Sequence, residues 1–219
     1  MDKQSIIQLC EGYNISYYTI NDDGTVDVDD DVNLANLGLT ELPLKFNKVN
    51  GEFECSNNKL TTLKGCPKEV GIDFNCTGNK LTTLEGSPKE IGRDFNCNYN
   101  ELTSLEHSPI KVGRDFLCTN NNLTNLKGCP KFINDDFLCN NNNITDLKEF
   151  PDNMEGDIYL PSNPIASIST LMNIYFLRAF NSYRVIKGNE INLKRLRYVM
   201  EIFDKPIKIE EIKKYYTIK

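Results

Sequence analysis

The stretch NKLTTLKGCPKEVGIDFNC at residues 58–76 is followed by the near copy NKLTTLEGSPKEIGRDFNC at residues 79–97. The spacing between equivalent positions is 21 residues, and seven such units can be counted from Val32 to Ile168. Self-similarity at a fixed period is the signature of a repeat architecture. A single unit cannot bury its own apolar face, so stacked units must share one core. The sequence therefore predicts a solenoid.

Two apolar positions recur two residues apart in every unit, and they predict the interior of a stack of strands. The first column holds Phe53, Phe74, Phe95, Phe116, Phe137 and Ile158, and the second holds Cys55, Cys76, Cys97, Cys118, Cys139 and Leu160. Residues i and i+2 of a strand lie on the same face, and parallel strands stack about 4.8 Å apart. A buried cysteine acts here as a small apolar side chain. We expect these columns to face inward, together with the leucines that follow them.

An asparagine recurs three residues after each cysteine-column position, at Asn58, Asn79, Asn100, Asn121, Asn142 and Asn163. The chain must turn sharply there, and turn amides lose their strand partners. An asparagine amide both donates and accepts, so it can satisfy its own turn and the neighbouring one. We therefore expect a structural role for this column: a row of side-chain hydrogen bonds between the turns of neighbouring units.

The back of each unit carries a proline, at positions 67, 88, 109, 130 and 151. Proline and glycine exclude a full helix in segments such as KGCPKEVG. The unit is similar to the leucine-rich repeat. We therefore expect a leucine-rich repeat solenoid with a parallel β-sheet and a short irregular or 3-10 convex side, in which the back of each unit is extended or forms a single 3-10 turn.

Both ends of the repeat array differ from its middle. Residues 1–30 predict an N-terminal cap of a short helix and a β-hairpin, because NDDGT supplies an Asp-Gly turn between the predicted strands SYYTI and VDVDDD. Repeats span 31–168. Residues 169–219 predict an α-helical C-terminal cap, with helices in ISTLMNIYFLRAF and INLKRLRYVMEIF and a third in IEEIKKYYTIK. The alternative for this end is a separate partner-binding module, suggested by its basic and tyrosine side chains: Lys194, Arg195, Arg197, Tyr215 and Tyr216.

Composition narrows the possible environment and partners. The net charge of −6 disfavours nucleic acid and anionic membrane surfaces. No apolar run is long enough to span a bilayer, and MDKQSIIQLCEGYN does not have the pattern of a signal peptide. Five of the eight cysteines follow the 21-residue period, which indicates repeat positions rather than disulfides. We expect a cytoplasmic protein.

Three stretches carry a family resemblance: INDDGTVDVDDDVNL, LTELPLKFNKVNGEF and EVGIDFNCTGNKLTTLEGSP. Together they resemble leucine-rich repeat proteins of tailed bacteriophages and some bacteria, which show Gly-Gly-Asp-Phe where this chain has Ile72, Arg93 or Arg114 in place of the second glycine. The resemblance implies the fold and a phage or bacterial origin, with action in the bacterial host cytoplasm. It implies no settled biochemical activity.

Side chains between the inward columns are expected on the concave face. The strand position changes along the array from polar Asn33, Glu54, Asn75 and Asn96 to Leu117, Leu138 and Tyr159, with Tyr99 nearby. Grouped apolar surface side chains indicate an interaction site. The alternative is that the C-terminal segment covers them.

An acidic column precedes each strand, at Asp31, Glu52, Asp73, Asp94, Asp115, Asp136 and Asp157. Either each carboxylate caps nearby amides or pairs with Arg93, Arg114 or lysines, or the column attracts a basic partner. The predicted partner-binding set is Tyr99, Leu117, Leu138, Tyr159, Asp73, Asp94, Asp115 and Asp136.

No pattern of catalytic or metal-ligating residues emerges. The single histidine, His107, falls in the back loop EHSP, and the cysteines lack zinc-site spacing. NDDGTVDVDDD lacks EF-hand spacing, and no phosphate-binding loop is present. The leading hypothesis is a non-catalytic protein-binding protein without cofactor or metal, acting on a host or defence factor. The alternatives are a structural component of a virion and, less directly supported, an enzyme with its site in the C-terminal subdomain.

Overall fold

A computed structural model describes residues 1–145, 149, 151, 153–160, 162–164, 185–187, 190–202, 209–213 and 217–219. Each 21-residue turn of the chain, here called a rung, contributes one short strand to each of two sheets. Successive rungs pair in parallel, so the repeats form a parallel β-solenoid. Its core lies between the two sheets.

The back sheet has eight strands, in the order β1-β2-β4-β6-β8-β10-β12-β14. They are β1 (Tyr18–Ile20), β2 (Val26–Val28), β4 (Phe46–Val49), β6 (Glu69–Val70), β8 (Glu90–Ile91), β10 (Lys111–Val112), β12 (Phe132–Ile133) and β14 (Asn153–Met154). Only β1 and β2 pair antiparallel.

The front sheet has seven parallel strands, each one rung from the next. They are β3 (Val32–Asn33), β5 (Phe53–Glu54), β7 (Phe74–Asn75), β9 (Phe95–Asn96), β11 (Phe116–Leu117), β13 (Phe137–Leu138) and β15 (Ile158–Tyr159). Phe53 pairs with Phe74, and this register repeats along the sheet. Six full turns therefore separate β3 from β15.

The back of each rung is extended, one of the two predicted conformations, but the backs pair into a sheet, which corrects the prediction of an irregular or 3-10 convex side. The proline of each rung lies just before the first residue that bonds to the neighbouring back strand. After Pro67, for example, Lys68 donates the first back-sheet hydrogen bond, to Asn47 O at 2.8 Å. Strand pairing therefore does not need the N–H that proline lacks. Glycines directly after β6, β8 and β10 let consecutive backbones approach closely: a Cβ at Gly92 would lie 1.8 Å from Gly71 O. Proline and glycine exclude a helix here but permit a two-residue strand.

The core contains the columns that the repeat predicts to face inward. The rings of Phe53, Phe74, Phe95 and Phe116 stack nearly parallel, with centroids 5.2–5.6 Å apart. Burying each phenylalanine contributes about 1.5–3 kcal/mol. All eight cysteines are unbridged; seven are buried, and Cys129 is half-buried. The thiols fill the space beside the ring stack.

The N-terminal segment begins with helix α1 (Lys3–Gly12). Asp2 is its N-cap, and its Oδ1 accepts the N–H of Ser5 at 2.8 Å. Ile6 and Cys10 of this helix are buried. The β1–β2 hairpin follows, with Gly24 at a φ of 76° in its turn.

The described part of the C-terminal segment mixes helices and strands. Its elements are β16 (Ile186–Lys187), β17 (Glu190–Ile191), α2 (Leu193–Ile202), α3 (Ile209–Ile212) and β18 (Thr217–Ile218). Helix α2 lies within the predicted segment INLKRLRYVMEIF. Helix α3 lies within the predicted segment IEEIKKYYTIK, but the C-terminal segment is not purely helical, because β16, β17 and β18 form a three-stranded sheet. The helix predicted in ISTLMNIYFLRAF lies outside the described residues. No helix in the described part of the chain has the length and apolar character needed to cross a membrane.

Candidate functional site

The asparagine column forms a ladder that ties each rung to the one before it. Asn100 Nδ2 donates to the carbonyl oxygens of Cys76 and Cys97, both at 3.1 Å, and its Oδ1 accepts the N–H of Leu81, also at 3.1 Å. Asn121 repeats the pattern one rung later. These side chains are buried, and their hydrogen bonds satisfy turn groups that the strands leave open. The predicted structural role of this column is confirmed.

The acidic column makes a second ladder. In each case a carboxylate Oδ1 accepts the backbone N–H of the acidic residue on the next rung: Asp73 from Asp94 at 2.9 Å, Asp94 from Asp115 at 3.1 Å, Asp115 from Asp136 at 3.0 Å and Asp136 from Asp157 at 2.7 Å. Asp31 accepts from Glu52 in the same way. A charge-assisted bond of this kind contributes about 1.5–3 kcal/mol and opposes the repulsion along the column. The four predicted aspartates therefore have a local structural role.

Neighbouring carboxylates are crowded most tightly around Asp115. One carboxylate oxygen from each of Asp115, Asp135 and Asp136 lies within 4.8 Å of the other two. Burial raises the pKa of Asp115, and the charges of Asp94, Asp135 and Asp136 raise it further, against the lowering effect of the N–H of Asp136. Arg114 Nε lies 3.9 Å from Asp94 Oδ1, a partly exposed pair that adds little. The crowding is a consequence of the ladder, and we assign the cluster no ligand.

The strand position that changes character lies on the outward face of the front sheet. Leu117 pairs in register with Leu138, and Leu138 with Tyr159, so the three occupy adjacent positions on adjacent strands. All three are half-buried. We call Leu117, Leu138 and Tyr159 the apolar strip.

The polar residues at the same position on earlier rungs have a local hydrogen-bonding role. Asn75 Oδ1 accepts the N–H of Thr77 at 3.0 Å, and Asn96 Oδ1 accepts that of Asn98 at 3.1 Å. On the Leu117 rung the equivalent N–H, that of Thr119, donates instead to Asn98 Oδ1 at 2.6 Å. The leucine thus replaces a side chain that caps its own turn, and the preceding rung supplies the acceptor.

Tyr99 stands beside the apolar strip in a strained backbone position. It has a φ of 53°, in a column otherwise occupied by Asn36, Asn57, Gly78, Asn120, Asn141 and Ser162. Its side chain is 62% exposed, and its N–H donates to Thr119 O on the next rung at 3.0 Å. A left-handed conformation costs a bulky L-residue about 1–2 kcal/mol. This strain was not predicted from the sequence, although the alignment of a tyrosine with asparagine and glycine is a visible signal.

The thiols of the repeat and the single histidine occupy structural positions. Burial raises the pKa of the thiols of Cys66, Cys76, Cys97 and Cys118, so they stay protonated at neutral pH and make poor nucleophiles. His107 is exposed, as predicted, with a φ of 71° at a turn position that is glycine in neighbouring rungs.

Among the described residues, three exposed aromatic side chains escaped the sequence analysis: those of Tyr17, Phe132 and Tyr198. Tyr17 precedes β1 and is 76% exposed, and Phe132 points outward from the back sheet. Phe132 could have been found from the sequence, because the equivalent position in the three preceding units holds a charged residue: Glu69, Glu90 or Lys111.

Comparisons with protein-family models, curated proteins and solved structures gave no match to this chain.

Proposed function

We propose that this chain is a non-catalytic, protein-binding repeat protein of the leucine-rich repeat type, and that it captures a bacterial protein through the outward face of the front sheet. The observation that carries the proposal is the apolar strip, three apolar side chains on neighbouring strands where earlier rungs have polar ones. Grouped surface apolar side chains favour a protein partner, and tyrosine is a frequent anchor at such interfaces.

The energetics of two positions support a role in recognition rather than in folding. At Leu117 an asparagine would supply the turn acceptor that Asn75 and Asn96 supply on their rungs. At Tyr99 an asparagine or glycine would relieve the left-handed strain. The fold does not need Leu117, because Asn98 accepts the turn N–H on that rung, and Tyr99 costs the fold stability, so both positions point to a function at the surface.

The acidic column from Asp73 to Asp136 would lie at the edge of the proposed interface with the partner. Each of the four carboxylates from Asp73 to Asp136 uses Oδ1 for the next rung. Within the described part of the chain, Oδ2 of these side chains makes no hydrogen bond. It is therefore available to accept one from a partner. A partner with an apolar anchor and basic residues at its rim fits this arrangement.

The resemblance to phage and bacterial repeat proteins extends the proposal to origin and role. We take the chain to be phage-encoded and its partner to be a host factor, such as a defence protein, that it inhibits in the bacterial cytoplasm. Recovery of the chain from purified virions would favour the alternative, a structural component of the particle.

The test compares capture of bacterial proteins by matched variants. L117N/L138N gives two rungs the residue that the repeat itself uses at Asn75 and Asn96, so we expect it to fold. F132K makes a similar change on the opposite face and serves as control. We expect wild type and F132K to capture the same protein and L117N/L138N to lose at least tenfold in affinity for it once purified. Equal capture by all three would refute the proposed surface.

A further inference from the structure

Strand β1 leaves an open edge on the back sheet. It is the outermost strand of that sheet and pairs antiparallel with β2. The N–H of Asp29 donates to Tyr17 O at 2.9 Å, which makes position 17 a hydrogen-bonded position of the hairpin. Bonded and non-bonded positions alternate in an antiparallel pair, so the N–H and C=O groups of Tyr18 and Ile20 point away from β2. Across the described ranges none of these four groups has a hydrogen-bond partner.

This edge lacks most of the protections that sheets use against strand addition. Natural edge strands are blunted by short length, lysine, proline, a bulge, an inward-pointing charge or a covering helix or loop. The strand Tyr-Thr-Ile at residues 18–20 is short, but it carries no lysine, proline or charged side chain and consists of residues that favour strands. Tyr18 and Ile20 are half-buried, whereas Thr19 is exposed. Packing therefore holds the backbone of β1 extended, with two donors and two acceptors open.

The surroundings of the edge are strongly acidic. Residues 1–31 contain eight carboxylate side chains and one lysine, whereas the whole chain has a net charge of −6. The negative charge is therefore concentrated at the end of the solenoid that carries β1. Bringing a second copy of this end against the first would place like charges together, which disfavours β1-to-β1 pairing between two copies.

An open depression lies directly beside the edge. Tyr17, Tyr18, Thr19, Asp29 and Asp30 line it, and the ring of Tyr17 is 76% exposed. Both carboxylates use only Oδ1 internally: for Asp29 the donor is the side-chain amide of the next rung at 2.6 Å, and for Asp30 it is the following N–H at 2.9 Å. Within the described residues no lysine or arginine forms an ion pair with either. An aromatic face beside two carboxylates suits an arginine or lysine side chain.

We propose that β1 docks an extended basic segment of a partner protein, which adds to the back sheet as a ninth strand. The N–H and C=O groups of Tyr18 and Ile20 bond its backbone, as in β-strand addition generally. An arginine or lysine of the segment lies against Tyr17 and pairs with Asp29 and Asp30. This site is separate from the apolar strip, so the two proposals stand or fall independently.

The test uses the full chain and two synthetic peptides, acetyl-Thr-Arg-Val-Arg-Val-Thr-amide and its counterpart with glutamate for arginine. We expect the arginine peptide to bind, to slow amide hydrogen exchange at Tyr18 and Ile20, and to dissociate as salt is raised from 50 to 500 mM. The glutamate peptide should do none of this.

Three variants separate the contributions. I20P removes the outward N–H without removing a hairpin bond, Y17N removes the ring at a φ of 51° that asparagine tolerates, and D29N/D30N removes the charge. Each should weaken binding of the arginine peptide about tenfold, equivalent to one good hydrogen bond or ion pair. The proposal is overturned if the arginine peptide does not bind, or if it binds these variants as it binds wild type. Protection of Tyr18 and Ile20 through self-association of the chain would also overturn it, since the occupant would then be a second copy.

Discussion

The side-chain amide of Asn100 donates to the carbonyl oxygen of Cys76, one rung earlier, at 3.1 Å. The same oxygen accepts a second bond from Asn79 at 3.0 Å. Each cysteine carbonyl in the middle of the array therefore holds two asparagines, one from its own rung and one from the next. Consecutive rungs are joined through this buried ladder as well as through their strands.

Removing one asparagine should destabilise the whole array. In N100A the N–H of Leu81 loses its only acceptor in a buried site, whereas the carbonyls of Cys76 and Cys97 each keep another asparagine. We expect a loss of about 2–3 kcal/mol in unfolding free energy, measured by urea denaturation. N100D should lose more, because it sets a carboxylate oxygen against two carbonyl oxygens.

The control for the ladder is N122A. Asn122 is exposed, so its removal should change the unfolding free energy by less than about 0.5 kcal/mol. If N100A behaved like N122A, the ladder would contribute nothing to stability.

A glycine on the back of the rung should be as sensitive as the buried asparagine. A Cβ at Gly92 would lie 1.8 Å from Gly71 O, a backbone atom that cannot move without separating two rungs. We expect G92A to cost more than about 3 kcal/mol in unfolding free energy or to prevent folding. G12A is the matched control, since no atom lies within 4 Å of its new Cβ. A stable G92A protein would contradict the close approach of the two strands.

The features of this fold that follow from the 21-residue repeat were predictable from the sequence. Phe74 and Cys76 alternate on one strand, and the 21-residue spacing stacks them with their equivalents, so both the core and the adjacency of Leu117 and Leu138 were predictable. The role of Asn100 was predictable because a side-chain amide offers two N–H donors and a carbonyl acceptor on one short side chain, enough to serve two neighbouring turns.

The parts that were missed depend on distances between rungs. The back strand Glu69–Val70 is too short for a period of two to show in the sequence. Its pairing depends on the approach of Gly71 to the preceding backbone, which no single unit reveals. The acceptor role of Asp73 likewise depends on where the next rung places the N–H of Asp94. Tyr18 and Ile20 were predicted in a hairpin, but which backbone groups face outward is set by the pairing with β2.

The crowded carboxylate Asp115 should make stability depend on pH. Its pKa is raised in the folded state, so its favourable contribution is complete below the unfolded carboxyl pKa of about 3.9 and is lost as the pH rises through the folded value. D115N keeps an acceptor for the N–H of Asp136 and removes the charge. We expect D115N to have a higher Tm than wild type at pH 7, and the difference to shrink as the pH falls towards 4.

The control for this pH effect is D73N. Asp73 accepts the N–H of Asp94 in the same way, but the residue before Asp94 is Arg93, whereas the residue before Asp136 is Asp135. We expect D73N to gain less in Tm at pH 7 than D115N does. A similar gain in both variants would show that the repulsion is spread along the column rather than centred on Asp115.

We expect Tyr99 to lower the stability of the fold and to strengthen binding of the partner protein. Its backbone has a φ of 53°, which asparagine tolerates far better than tyrosine, and the rungs after it hold asparagine in this column. On those rungs Asn141 Nδ2 donates to Asn120 Oδ1 at 3.0 Å, and in Y99N the new side chain could accept the same bond from Asn120. We expect Y99N to raise the unfolding free energy by about 1 kcal/mol and to weaken capture of the partner through the apolar strip. The matched variant N120Y should lower stability by a similar amount. If Y99N were stabilised and bound the captured protein as wild type does, Tyr99 would lie outside the contact surface and its strain would have no functional explanation.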